Sequence, residues 1–350
     1  MQVTGFFRTQ LEDGIMGMNN KDGAFWFQLR EHYKQMGYDN NNNDNDGVHD
    51  SNAVDQFNPS QFSLCYDRQP ISKNLDHGLG SGTLTLGGSD PLLHNTPMVY
   101  ASNITPNGGW YKVRITAMFL RTNGGTLLSV TSSDTTMITI DGSNTDIPRY
   151  LRVHATEDDL NGGSDPQHGV IIDSGTTDTY LPQTLAGPFQ NAWVEAMGGN
   201  VVFDNTPREL TIKQLRSLPT VLIILRGHAP SNVDSLENGV IGMTRSHVSM
   251  FTSEEYPISD TDIVVAMPPG HYMEESSSTP GMYTSRLYFT ERAGSQSILG
   301  SNFLMGHDVL FDNGQGRIGF AESHCDYTRY VEERNTIIQQ EQAGLEGQRR

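Results

Sequence analysis

Basic residues are scarce in this chain of 350 residues: 23 lysines and arginines stand against 41 aspartates and glutamates, for a formal net charge of −18. Most of such a surface would repel a phosphate backbone, which argues against nucleic acid as a partner. Apolar runs are also short, and none reaches the length that a membrane span requires. We therefore expect no membrane span in this chain.

Cysteine is nearly absent, since only Cys65 and Cys325 occur. Their spacing fits no metal motif, and His228, His247 and His271 lack the spacing of metal ligands. We therefore expect no metal site. No Gly-x-Ser-x-Gly elbow occurs either, which leaves a serine hydrolase without support.

Glycine, in contrast, is abundant, with 36 residues, while hydrophobic residues make up only 35% of the chain. This balance favours a β-rich protein with many turns over a helical bundle. The length allows one large or two moderate domains with ample volume for a core.

One stretch combines a buried strand with a carboxylate at its end. The apolar, β-branched run Val170–Ile172 predicts a strand that is covered on both faces. Asp173 follows directly, and Gly175 permits a sharp turn after it. The hydroxyls of Ser174 and Thr176 can hold the carboxylate oxygens in a fixed plane. Taken alone, the triplet Asp-Ser-Gly would also suit a surface turn, so its interpretation depends on the segments around it.

Other short segments accompany this loop in a definite order. They are mostly apolar pairs followed by glycine, or short strands that end in a turn. In chain order they are residues 13–18, 62–64, 82–88, 110–113, 218–221, 298–300, 309–312 and 318–320. Together with the Asp173 loop they resemble the pepsin-like aspartic proteases, in which an Asp-Thr/Ser-Gly loop is crossed by a strand of two apolar residues and a glycine. The resemblance covers roughly residues 4–326.

The resemblance implies an all-β, bilobal acid protease fold and the hydrolysis of internal peptide bonds. In this family two aspartates share one proton: one activates a water molecule, and the other polarises the scissile carbonyl. By resemblance Asp173 is the second-lobe member of that dyad, Thr176 is its hydrogen-bonding neighbour, and Ser174 locks the two catalytic loops together. Gly175 and Thr177 are implied as contacts to a polypeptide substrate. Neither a cofactor nor a metal takes part.

The other Asp-Thr-Gly loop of the family and its flap hairpin do not occur in these 350 residues. Asp141 and Gly142 follow an alternating strand and are interpreted as a hairpin turn instead. We therefore expect a truncated N-terminal lobe, a complete C-terminal lobe, and no activity of the chain alone. The chain is interpreted as a fragment of an active protease. The alternatives are a catalytically dead protein that binds peptides or regulates a partner, and a dimer that joins two copies of Asp173, which the remnant of the first lobe would obstruct.

In this interpretation the chain has three parts. Residues 1–95 hold the remnant of the first lobe and part of the interlobe sheet, residues 96–326 form the catalytic lobe, and residues 327–350 form a charged tail. The Asn-rich and Asp-rich segment at 39–58 predicts a disordered insertion, because a calcium loop would need a glycine and a glutamate that are not at the required spacing. A further irregular insertion is predicted at 228–258.

Apolar periodicity predicts the individual elements. Helices are expected over residues 21–36 and 183–197, with a shorter helical turn at 212–215. Strands are expected at 60–65, 79–86, 110–120, 136–140, 201–203, 221–225, 262–267, 283–290, 309–312 and 317–320, the last two joined by a hairpin.

The resemblance also bears on the compartment. Some membrane-anchored members join the regions of Cys65 and Cys325 by a disulfide, which predicts that bridge here; the alternative is two buried free thiols. A disulfide implies a secretory history, and the glycosylation sequon at Asn103 agrees with it, although such triplets also arise by chance. Residues 1–8 lack the features of a signal peptide, so we expect an incomplete N-terminus. The expected location is the secretory pathway, extracellular or endolysosomal, with a possible membrane anchor in a longer form.

Overall fold

The structure is a computed structural model, and it describes residues 16–35 without 20 and 22, 58, 60–67, 82–122 without 107, 149–228 without 200, 259, 261–290 and 297–325. Several predicted features lie outside these residues. They are the strand at 136–140, the tail at 327–350, and, apart from residues 58 and 228 themselves, the insertions at 39–58 and 228–258.

The described residues consist largely of β-strands, numbered here in chain order. The strands are β1 (Gln61–Tyr66), β2 (Gly82–Leu86), β3 (Val99–Ser102), β4 (Lys112–Val113), β5 (Ile115–Arg121), β6 (Tyr150–Arg152), β7 (Val170–Ile172), β8 (Thr179–Pro182), β9 (Arg208–Glu209), β10 (Thr220–Leu225), β11 (Ile263–Met267), β12 (Met273–Glu275), β13 (Met282–Ser285), β14 (Leu287–Thr290), β15 (Ile298–Leu299), β16 (His307–Asp312) and β17 (Arg317–Glu322).

Short helices connect these strands. The α-helices are α1 (Phe25–Gln35), α2 (Glu157–Asn161), α3 (Ala186–Ala196), α4 (Ile212–Ser217), α5 (Pro269–Tyr272) and α6 (Ser301–Leu304). The segments Pro91–Leu93 and Gln183–Leu185 form 3₁₀ turns. Helices α2 and α4 begin with capping boxes, because Thr156 and Thr211 each exchange hydrogen bonds with the residue three positions on.

One sheet joins early and late parts of the chain, and we call it the bridging sheet. Its strand order is β2-β1-β16-β17-β3, with every neighbouring pair antiparallel. Leu64 lies opposite Val309, and Phe320 lies opposite Val99, so apolar side chains from both parts of the chain share one face. This face belongs to the main hydrophobic core. The sheet therefore depends on residues from both sides of the Asp173 loop.

A second sheet, of order β11-β10-β5-β6, is buried on both faces. Alternate residues of β10 point to opposite sides, as the pleat requires. Val221, Ile223 and Leu225 join the main core, whereas Leu222 and Ile224 belong to a separate apolar cluster. The continuous apolar runs that predicted these strands thus reflect burial on both faces.

The fold class predicted from the sequence is confirmed, because several β-sheets dominate the structure. The truncation of the first lobe and the boundaries at residues 95 and 326 stay predictions. The strand predicted at 201–203 is wrong, since this segment pairs with no strand among the described residues and Phe203 N–H donates to the side chain of Gln190. The strand predicted at 283–290 is broken at Arg286, where β13 and β14 join different sheets.

The predicted disulfide is confirmed: Cys65 and Cys325 are bonded, with 5.2 Å between their Cα atoms. Cys65 lies in β1, and Cys325 lies three residues after the end of β17, so the bond joins β1 to the segment that follows the last strand. Both cysteines are buried together with Leu93 in a small apolar cluster. The bridge therefore fixes the bridging sheet from one side.

Candidate active site

Asp173 lies at the end of a strand that neighbours hold on both edges. The sheet has the order β14-β8-β15-β7-β4, which places β7 between β15 and β4. Ile172 N–H donates to the carbonyl of Tyr111 on one side at 2.8 Å, and Asp173 N–H donates to the carbonyl of Leu299 on the other at 3.1 Å. The backbone of Asp173 is thus fixed from two directions, which sets the direction of its side chain.

The carboxylate of Asp173 is half-buried, and each of its oxygens has one donor from the same loop. Gly175 N–H donates to Oδ1 at 2.9 Å, and the hydroxyl of Thr176 donates to Oδ2 at 2.6 Å. An ionised carboxylate accepts several hydrogen bonds, so both oxygens keep capacity for a further partner. This arrangement can orient a carboxylate toward a water molecule or toward a second acid.

The loop rests on the segment that follows β15. Ser301 N–H donates to the carbonyl of Thr176 at 2.7 Å, and Asn302 N–H donates to the carbonyl of Thr177 at 3.1 Å. Gly300 lies at the crossing point, where an added Cβ would meet the carbonyl oxygens of Asp178 and Thr176, the latter at 2.6 Å. Only glycine fits there, because rigid backbone atoms surround the position.

Tyr66, the last residue of β1, brings the bridging sheet to the same loop. Its phenol lies near the hydroxyl of Ser174. Burial raises the pKa of Tyr66 and the charge of Asp173 raises it further, whereas the nearby hydroxyl of Ser174 acts in the opposite direction. The hydroxyl of Ser174, expected to lock two catalytic loops together, therefore lies near a side chain of β1 in this structure.

A second acid, Asp178, lies five residues after Asp173. Burial raises the pKa of its carboxyl, Arg286 opposes that shift, and Glu274 adds to it. The hydroxyl of Tyr180 donates to its Oδ2 at 3.5 Å. Sequence reasoning singled out neither Asp178 nor Tyr66. Asp178 could have been found from the sequence, because it lies only five residues after Asp173. Nothing in the sequence near Tyr66 indicates that this residue lies close to Asp173.

The family model of eukaryotic aspartyl proteases matches residues 2–323. The chain belongs to the eukaryotic aspartyl protease family. A search of the curated proteins found no match.

Within this aspartyl protease chain, the predicted site residues occupy one continuous loop, and Ser174, Gly175 and Thr176 all lie against Asp173 or its neighbours. Gly175 and Thr177 are exposed, whereas Thr176 is half-buried. The assignment of catalytic and substrate-binding roles to these residues stays a prediction. The family and the disulfide suggest a secretory or lysosomal lumen.

Asn103, the residue of the glycosylation sequon, is 7% exposed. Its Oδ1 accepts hydrogen bonds from the backbone N–H groups of Thr105 and Lys112, at 3.1 and 3.3 Å. The side chain thereby ties together the loop before β4. A sugar on its amide nitrogen would require the side chain to leave this position, so glycosylation there stays a prediction.

Among the described residues, no three His, Cys, Asp or Glu side chains are grouped closely enough to hold a metal ion. Within the same residues, no helix has both the length and the apolar character needed to cross a membrane.

Proposed function

We propose that this protein hydrolyses internal peptide bonds as an aspartic endopeptidase, with Asp173 as one carboxylate of a catalytic dyad. The observation that carries the proposal is the Asp173 carboxylate itself, whose two oxygens each receive one hydrogen bond from their own loop. Membership in the aspartyl protease family supports a polypeptide as the substrate.

The proposed mechanism needs two carboxylates that share one proton. Two like charges in close contact cannot both ionise, so one acid stays protonated while the other acts as a base on a bound water molecule. The protonated member polarises the scissile carbonyl, and the water attacks it. Thr176 and Gly175 hold Asp173 in place for this exchange, and the exposed residues Gly175 and Thr177 contact the extended peptide.

The proposed mechanism needs a second carboxylate in addition to that of Asp173. The sequence holds a single Asp-Thr/Ser-Gly triplet, at 173–175. We propose that the 350-residue chain is inactive alone, and that a second loop of this kind must be supplied for cleavage. Sequencing the transcript upstream of the Met1 codon tests whether a longer form of the protein encodes such a loop, together with a signal peptide.

The single triplet also favours a second candidate function, a catalytically dead protein that binds peptides or regulates a partner. In that case the Asp173 loop and the exposed residues beside it would hold an extended peptide without cutting it. Both candidates place the protein in the secretory pathway, outside the cell or in an endolysosomal lumen. Membrane anchoring of a longer form is part of the proposal for either one.

Two substitutions separate these candidates. Cleavage and binding of a peptide library at acidic pH should be measured for the longest encoded form, for Asp173→Asn, and for Asp158→Asn. Asp158 is an exposed aspartate in α2 and serves as the matched control. An endopeptidase loses cleavage in Asp173→Asn and keeps it in Asp158→Asn.

Peptide binding without cleavage in the unsubstituted protein would support the regulatory candidate. Cleavage that survives Asp173→Asn would rule out the proposed role of this residue. If the protein neither binds nor cleaves peptides, both candidate functions fail.

A further inference from the structure

One side of the sheet β14-β8-β15-β7-β4 lies away from the main hydrophobic core. Across this side Tyr288 lies opposite Tyr180, Tyr180 lies opposite Ile298, and Ile298 lies opposite Ile171. These four residues are outside the main core, whereas residues that alternate with them along the strands, such as Leu181, belong to it. We call the side that carries these four residues the outer face of the sheet.

The next positions on the outer face bring two aspartates to the two sides of a glycine. Asp173 lies two residues after Ile171, and Asp178 lies two residues before Tyr180, so strand alternation places both on this face. Gly300 follows β15 between them, where an added Cβ would meet the carbonyl oxygen of Asp178. Two strand spacings, about 10 Å, separate the backbones of the two aspartates. Because glycine has no side chain, nothing from this position of β15 fills the space between the two carboxylates.

The two carboxylates differ in the hydrogen bonds that the chain offers them. Asp173 receives two, at 2.9 and 2.6 Å. Asp178 is half-buried, and within the described residues its carboxylate receives one long hydrogen bond, from the hydroxyl of Tyr180 at 3.5 Å. Burial raises the pKa of Asp178, as expected for a carboxylate that has lost water without gaining strong donors. A cation placed against Asp178 would supply the missing donors.

Arg286 is a cation of this region, but its guanidinium is held by other partners. It forms an ion pair with Glu274 and donates to the hydroxyl of Tyr288 at 3.4 Å. Arg286 attracts Asp178 only from a distance, while Glu274 repels it. Two carboxylates and one guanidinium leave an excess of one negative charge, which lies at Asp178.

The surroundings of Asp178 suit a long basic side chain. A carboxylate can accept two parallel N–H bonds from a guanidinium. The rings of Tyr180 and Tyr288 stack with their centroids 5.2 Å apart, and aromatic rings attract cations. Ile298 is half-buried on the same face and can cover the aliphatic part of such a side chain.

We propose that Asp178 selects peptides that carry a basic side chain close to the bond at Asp173. The inference rests on the proposed function, since the peptide must lie along the Asp173 loop. An extended chain advances about 3.3 Å per residue, so a distance of about 10 Å places the basic residue within about three positions of the residue over Asp173. Asp178 contacts this side chain and no reacting atom, so its role is substrate recognition.

Matched peptides separate this pairing from a general attraction to an acidic protein. Peptides of about eight alanines and leucines carry one arginine, which is moved through every position, and a second set carries citrulline, its neutral analogue, instead. Fluorescence anisotropy measures their binding to the longest encoded form, and kcat/KM replaces it for any peptide that is cut. The salt concentration is about 0.15 M, which screens charges more than about 8 Å apart. We expect arginine to be favoured over citrulline about tenfold at one or two neighbouring positions, and not elsewhere.

Two substitutions connect this preference to Asp178. Asp178→Asn keeps the shape of the side chain and removes its charge, so the arginine and citrulline peptides should then bind equally. Asp158→Asn changes the net charge by the same amount at an exposed position of α2 and should keep the tenfold preference. If Asp178→Asn does not fold, the dependence on position still decides, because a general attraction would favour arginine at every position.

Several outcomes would overturn the inference and leave the proposed function intact. They are equal affinity for arginine and citrulline peptides at every position, a preference of the same size at all positions, and a preference that survives Asp178→Asn. If peptides of neither set bind or are cut, the proposed function fails together with this inference.

Discussion

At the scale of single residues, Thr176 makes the one side-chain hydrogen bond that the Asp173 carboxylate receives among the described residues. Replacing it with valine keeps the shape but removes the hydroxyl, whereas serine keeps the hydroxyl. We expect Thr176→Val to lower the free energy of unfolding near neutral pH by about 1–2 kcal/mol, because a hydrogen bond to a charged group is lost. Urea denaturation measures the difference.

Thr176→Ser is the matched control, and it should lose less than about half of that amount, since the donor remains. Equal losses in the two variants would mean that packing of the methyl group, rather than the hydroxyl, matters at this position.

A second residue, Asp262, predicts a dependence of stability on pH. It is buried, and its oxygens accept hydrogen bonds from Gly227 N–H at 3.1 Å, the Thr116 hydroxyl at 3.2 Å and Ser259 N–H at 3.3 Å. Burial nevertheless raises the pKa of Asp262 above its usual value of 3.8, while these hydrogen bonds and Arg226 oppose the shift. Protonated Asp262 therefore stabilises the fold below that value, and this contribution is lost as the pH rises through the raised pKa.

Asp262→Asn removes this titration and also loses an acceptor, a loss that does not depend on pH. We expect the stability difference between the unsubstituted protein and the variant to shrink as the pH rises from about 3.5 to about 7. Urea denaturation across that range measures it, with the exposed Asp158→Asn as the control. A difference that grows with pH would contradict the raised pKa.

The sequence permits some residue assignments and not others. The hydrogen bonds to the Asp173 carboxylate could be predicted because their donors, Gly175 and Thr176, lie two and three residues further along the same loop. Residues so close in sequence are also close in space, so the sequence alone indicates the contact. Tyr66 reaches the same loop from a different sheet. Its proximity to Ser174 depends on how two sheets pack together, and no local pattern encodes that.

At the scale of elements, Gly300 allows β15 and the turn after it to cross under the Asp173 loop. Gly300→Ala would place a Cβ against two carbonyl oxygens that cannot move away. We expect a loss of about 1–3 kcal/mol in the free energy of unfolding, the usual cost of overpacking. Thermal or urea unfolding provides the measurement.

Gly17→Ala is the control for this substitution, because no atom of a described residue lies within 4 Å of a Cβ added there. Its effect should stay within about 0.5 kcal/mol. If both alanine variants were equally stable, the crossing would have more room than the structure indicates.

Elements whose sequence pattern reflects their own burial were predicted well. The apolar runs of β10 and β11 are buried on both faces, so their composition alone indicates strands. The segment 201–203 has a similar composition, but the backbone N–H of Phe203 donates to the side chain of Gln190 instead of to a neighbouring strand. Composition records burial, whereas strand pairing depends on what lies beside the segment.

At the scale of the whole molecule, the disulfide between Cys65 and Cys325 closes most of the chain into one loop. Closing a long loop restricts the unfolded state, and we expect its loss to cost about 4 kcal/mol. Cys65→Ala, Cys325→Ala and the double variant should lose the same amount in urea denaturation, because each breaks the same bond.

A reducing agent added to the unsubstituted protein should reproduce that loss and should leave the three variants unchanged. Losses that add up in the double variant would show that each cysteine contributes through packing around Leu93 rather than through the bond.

The bridging sheet also has a consequence for how the protein is made. A ribosome releases β1 and β2 long before it reaches β16, the strand that lies beside β1. Until then the early strands have unpaired edges, which invite association with other nascent chains. Pairing between strands so distant in sequence is also slow, because a long loop must close first. Chaperones that protect the early strands during synthesis should therefore control the yield of this protein more strongly than its final stability does.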